Sequence, residues 1–142
     1  MNRTVRTIGI AAAALALAVV GFALARDLSD GLVLRTTAED GTRLPTRLWF
    51  VEDEGVVFVR GAHDSQWVAR IRRNGEADVV RPGTREDVRA AILSDPKQAA
   101  RIDALFREKY GWLDRLERVR AGDSFLIVRL SSPWPRRVGG DR

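Results

Sequence analysis

Alternation of apolar and polar positions runs through the middle of the chain and predicts strands joined by short turns. "LVLRTT" (32–37) is the first strand, and "AEDG" after it is a turn in which Gly41 supplies a positive φ. "PTRLWFV" (45–51) is the second, opening at a proline where no ladder donor is needed. "EDEG" is a further hairpin turn and "VVFVR" (56–60) the third strand, so 32–60 is expected to form a three-stranded antiparallel meander. "EADVVRP" (76–82) is a fourth strand that stops at Pro82. In "TREDVRAAILSD" the alternation of Val88, Ala90 and Ile92 predicts a fifth strand over 86–93, against a local propensity for helix. "DSFLIVRL" (123–130) is the sixth.

Helical periodicity appears in three places. "HDSQWVARIRRNG" (63–75) reads as a short helix capped by Asp64 or Ser65, with Trp67, Val68 and Ile71 on its apolar face and Gly75 at its end. "DPKQAARIDALFREKYG" (95–111) gives the strongest pattern. Ser94 or Asp95 caps it, Pro96 suits its first turn, and Ala99, Ile102, Leu105 and Phe106 form one stripe before Gly111. "WLDRLERVR" adds a second helical piece, and "SSPWPRRVGGDR" is a tail without a pattern. Six short strands with two or three helices suggest a small antiparallel barrel with helical covers.

The first residues differ in kind. "MNRTVRT" carries Arg3 and Arg6 and no acid, and residues 8–25 hold no charge. As one helix this stretch would extend about 27 Å, just sufficient for a bilayer core. It is expected to be an N-terminal transmembrane anchor, with the following domain on the extracytoplasmic (periplasmic) side of the cell membrane. The alternative is a secretory signal cleaved after Ala23-Leu24-Ala25. The expected organisation is an anchor or signal over 1–26, a domain over 27–131 and a flexible tail over 132–142.

Composition narrows the chemistry. The 142 residues are 45% apolar and 30% charged, which suits one folded domain. Absence of cysteine excludes disulfides, iron–sulfur clusters and thiolate zinc sites. Net charge is +5, but the arginines are spread among acids along the whole chain and mark a solvated surface rather than a nucleic-acid footprint. His63 is the only histidine, so neither a hydrolase triad nor a metal site has support.

Residues 56–75 concentrate the remaining interest. A strand ends at Arg60 and a helix begins after Ser65. Unpaired amide hydrogens at a helix start favour an anion, and Arg60 and the Ser65 hydroxyl are placed to join them. Trp67 would then border a flat ring. The competing reading keeps Trp67 in the core, Ser65 as a cap only and the arginines in water. Residue types alone leave both open.

The ordered set of a T-T-x-x-G turn, a P-x-x-x-W-F-V strand, a V-x-F-V-R strand, a serine-containing turn and a helix ending R-R-N resembles the split β-barrel flavoproteins. These are the pyridoxamine-phosphate-oxidase-like superfamily and its deazaflavin-dependent nitroreductase relatives. The resemblance spans most of 32–130. It implies a mainly β (α+β) six-stranded antiparallel split β-barrel with two or three covering helices, here preceded by the transmembrane helix. It also implies a homodimer binding FMN or a deazaflavin and acting as a membrane-anchored oxidoreductase by hydride transfer of the nitroreductase or quinone-reductase kind. Val59, Arg60, Ser65, Gln66 and Trp67 match the family's phosphate site, with Ser65-Gln66-Trp67 where oxidases show Ser-Arg-Lys. Thr46 and Leu48 would face the pocket beside the ring. The ring performs the redox chemistry in such proteins, so no catalytic side chain is expected. The alternative function is a non-catalytic envelope barrel binding a small hydrophobic molecule or a protein partner.

Overall fold

The structure is a computed structural model and describes residues 13–19, 31–122 and 124–132. The chain divides into two units, Met1–Gly31 and Leu32–Arg142. In the first unit the described residues form helix α1 (13–19). No helix among the described residues is long and apolar enough to cross a membrane. That corrects the expected transmembrane helix. The rest of 1–26, including Ala23-Leu24-Ala25, lies outside the described residues, as do 133–142 of the tail.

The second unit is built on seven antiparallel strands: β1 (Leu32–Thr37), β2 (Arg43–Leu48), β3 (Phe50–Asp53), β4 (Val56–Ala62), β5 (Glu76–Arg81), β6 (Thr84–Ile92) and β7 (Phe125–Ser131). They pair in the order β2-β1-β5-β6-β7-β4-β3. Helix α2 (Gln66–Arg73) connects β4 to β5, and α3 (Pro96–Tyr110) and α4 (Trp112–Ala121) connect β6 to β7.

The expected count of six strands is corrected to seven, and the difference lies at Trp49. The segment read as one strand over 45–51 breaks there into β2 and β3, which become the two opposite edges of the sheet. The meander expected over 32–60 is therefore two separate hairpins, β1–β2 and β3–β4. Groups from α3 hold the break. The Trp49 ring stacks on Tyr110 with centroids 4.5 Å apart. The Tyr110 hydroxyl accepts from Phe50 N at 3.1 Å and donates to Phe50 O at 2.9 Å. Backbone groups fastened to a helix turn the chain from one edge of the half-barrel to the other.

Period-two alternation fills the interior. Leu32, Leu34, Val59, Ala77, Val79, Val88, Ala90, Val128 and Leu130 form the core with Trp67, Val68 and Ile71 of α2. Gly61 permits α2 to lie this close: a Cβ there would meet Trp67 Cζ2 at 2.4 Å. Helix α2 is also tied to β1 by Arg70 Nε donating to the buried Thr36 hydroxyl at 2.7 Å. Helix α3 begins as its sequence predicts, with Pro96 in its first turn and the Asp95 carboxylate accepting from Lys97 N at 2.9 Å. Its buried stripe is Ile102, Phe106 and Tyr110.

Candidate functional site

At the turn from β4 into α2, where an anion was expected, the Arg60 guanidinium meets acids of α3 and α4. Val59 and Trp67 are core residues, and Gln66 is exposed. Ser65 stands at the helix N-cap without a side-chain cap bond; its hydroxyl instead donates to Ala62 O at 2.8 Å. Arg60 is buried and directed toward α3 and α4. Its guanidinium lies 2.5 Å from Asp114, 2.7 Å from Glu117 and 3.3 Å from Asp103. The rings of Phe106 and Phe125 flank it, with centroids 4.7 and 4.4 Å away. With three carboxylates and two aromatic faces around it, this cation has its charge met from within the fold.

Arg118 extends the network, donating to Asp114 at 2.8 Å and to both oxygens of Asp103 at 2.8 Å. Burial alone would raise the Asp114 carboxyl, but hydrogen bonds from Arg118 and Arg60, together with their charges, outweigh it and hold the group below its ordinary value. Burial would likewise lower Arg118, and its bonds to Asp114 and Asp103 reverse that and raise it. The arrangement clamps the α3–α4 pair onto the end of β4.

Thr46 and Leu48 are half-buried on β2, with Thr46 opposite the core residue Leu34. Leu48 meets Arg60, together with Arg47, Trp49 and Glu117, around a cavity of about 140 Å³. Small-molecule sites run from about 300 Å³ upward. The Arg60 guanidinium beside this cavity is already paired. The residues expected at the phosphate site thus divide between the core, the start of α2 and the ion-pair network.

A larger space opens elsewhere in the half-barrel. A cavity of about 700 Å³ lies between the β3–β4 hairpin, the β5–β6 hairpin and the end of β7. Val57, Val79, Val88 and Leu130 line it, with Arg81 and Arg129 beside them. Arg81 lies over the Phe50 ring, 4.9 Å from its centroid, and pairs with Glu52 at 3.8 Å. Glu52, Glu54 and Glu86 also line it, so its electrostatics are mixed. No local pattern in the sequence reveals this space, because its walls come from five strands brought together only by the fold. The acids that take Arg60 left a fainter signal: Asp114 and Arg118, and Asp103 and Arg107, stand at helical i, i+4 spacing.

The profile of a family described as an uncharacterized protein conserved in bacteria (DUF2255) matches residues 26–122. No curated protein matches the chain. Among solved structures, HutZ, the heme storage protein from Vibrio cholerae, is 15% identical with a TM-score of 0.61, covering 75% of this chain and 84% of that one. A candidate pyridoxamine 5'-phosphate oxidase from Listeria innocua is 16% identical with a TM-score of 0.57, covering 74% and 85%. An F420-H2 dependent reductase is 14% identical with a TM-score of 0.56, covering 72% and 94%. The split β-barrel resemblance read from the sequence is borne out as a fold, one that this candidate oxidase and this reductase share with a heme storage protein.

Proposed function

We propose, for a chain that belongs to the DUF2255 family of proteins conserved in bacteria, that the half-barrel binds a flavin- or deazaflavin-type cofactor in its 700 Å³ cavity and serves as an oxidoreductase. The observation that carries this reading is the cavity itself. Val57, Val79, Val88 and Leu130 offer an apolar floor for a flat ring, and Arg81 and Arg129 offer guanidiniums to a phosphate tail. The names of the reductase and oxidase among the structural neighbours support the cofactor class. When bound, such a ring supplies hydride transfer. The chain's own part is to hold it: the valines exclude water from one face, and the Phe50 ring keeps Arg81 in place. A homodimer belongs to this reading and is tested by mass in solution.

The experiment titrates the purified full chain separately with FMN, a deazaflavin and haem, reading absorbance and melting temperature. FMN or the deazaflavin is expected to bind. Arg129→Glu lies on an exposed position and keeps the fold. It should weaken FMN by about tenfold, as loss of one charge-assisted contact does, and riboflavin far less. Absence of any response to FMN and the deazaflavin from folded protein overturns the proposal, whether or not haem binds. A second reading then stands, favoured by the closure of Arg60: a non-catalytic barrel holding a small hydrophobic molecule or a protein partner.

A further inference from the structure

The face of the sheet opposite the core carries a second charge cluster. Register places its members side by side. Arg35 on β1 lies opposite Pro45 of β2 and Asp78 of β5. Arg43 is two residues from Pro45, and Arg85 of β6 lies opposite Val80, two residues from Asp78. Paired residues share a face and the period is two, so Arg35, Arg43, Asp78 and Arg85 all point away from Leu34, Ala77 and Val79.

Asp78 is fully buried, and three arginines stand around its carboxylate. Arg35 Nε is 2.6 Å from one carboxylate oxygen and Arg85 Nε 3.2 Å from the same oxygen. Arg43 Nη1 is 3.5 Å from the other. The arginine side chains are 25%, 59% and 35% exposed, respectively, so the carboxylate forms a floor and the guanidiniums a rim open to solvent. One guanidinium neutralises a carboxylate; three leave two positive charges in surplus. Glu76 and Asp87 face the same side and reduce that surplus, while Arg89, also on this face, restores part of it. Among the described residues Arg35 Nη2, Arg43 Nη1 and Asp78 Oδ1 are buried without a hydrogen-bond partner, and the last two face each other at 3.5 Å. The Arg35 donor left so is costly, and an oxygen-rich ligand relieves it.

We propose that Arg35, Arg43 and Arg85, splayed around Asp78, form a receptor for a phosphate-type oxyanion on the outer face of the half-barrel. Planar guanidiniums match the oxygen spacing of phosphate. Asp78 fixes their directions from beneath, so little side-chain freedom remains to be lost on binding. The receptor lies across the sheet from the cofactor cavity, since Asp78 and Val79 point to opposite faces, and does not depend on that reading. Free phosphate and the phosphomonoester end of a small organic molecule present the same chemistry.

The test measures heat of binding and melting temperature of the full chain with inorganic phosphate, with glycerol phosphate and with chloride at matched ionic strength. Phosphate should bind and stabilise where chloride does not. Arg43→Gln and Arg85→Gln should each weaken it about tenfold. Arg85 is the most exposed of the three, so its variant folds even where an Arg35 variant leaves Asp78 buried and short of a partner. The same variants should leave a riboflavin titration unchanged, since riboflavin carries the ring without a phosphate, which separates this proposal from the cofactor reading. Tighter glycerol phosphate assigns the receptor to an organic phosphate, and equal or weaker binding assigns it to the free ion; either outcome upholds it. Phosphate no better than chloride, or both variants binding as wild type, means an adventitious ion only and overturns it.

Discussion

Replacing Arg60 by alanine tests whether this residue is a ligand-holding group or an internal rivet. In the structure Asp114, Glu117 and Asp103 surround its guanidinium, and its side chain is 2% exposed, as is that of Asp114. Removing one member of a buried pair leaves the others charged and desolvated, which costs about 3–5 kcal/mol. Loss of the faces of Phe106 and Phe125 adds about 0.5–2 kcal/mol. Arg118 remains to satisfy Asp114 and Asp103, so a total near the lower end, about 4 kcal/mol, is expected. In a domain of about 100 residues this lowers the melting midpoint by roughly 15–30 °C. Urea unfolding followed by tryptophan fluorescence measures it. The same change combined with Asp114→Ala should cost less than the sum of the two single variants, with a coupling of about 2 kcal/mol. A cost under about 1 kcal/mol for Arg60→Ala, below what loss of a buried ion pair entails, refutes the rivet. A variant that keeps its stability but loses cofactor binding refutes it equally, for Arg60 would then face a ligand.

Three further outcomes follow from single contacts. Gly61→Ala brings a methyl to 2.4 Å from the edge of the buried Trp67 ring, and overpacking of this kind should cost about 1–3 kcal/mol by urea unfolding. Tyr110→Phe removes the hydroxyl bonded to Phe50 N and O, keeps the stack on Trp49, and should lower stability by about 1–2 kcal/mol; hydrogen exchange at the Phe50 amide should quicken with it. Because Asp114 is depressed in the folded state, the stability it contributes is fully present above its ordinary value of 3.8 and is lost as pH falls below that through the folded value. A urea midpoint measured against pH should drop in that acid window, and Asp114→Asn should flatten the drop.

Local chemistry wrote much of this fold into the chain. Period-two runs placed β1, β4 and β6, the last against its helical propensity, because alternating Val88 and Ala90 bury one face of a sheet whatever the intrinsic preference. Turn and cap residues acted within a few positions: Gly41 takes φ 85° after Asp40, whose carboxylate accepts from Thr42 N, and Asp95-Pro96 opens α3. Contacts between distant segments decided the rest. Trp49 lies in an unbroken apolar run, and only Tyr110, 61 positions later, divides that run into two sheet edges. Arg60 and Ser65 carry the residue types of an anion site, but charge is satisfied by whichever opposite charge folding brings nearest, and for Arg60 those were acids on α3 and α4. Asp78 reads as an ordinary polar strand position until register sets arginines from β1, β2 and β6 around it. Sequence determines what each segment offers on its two faces; long-range pairing alone determines which faces meet.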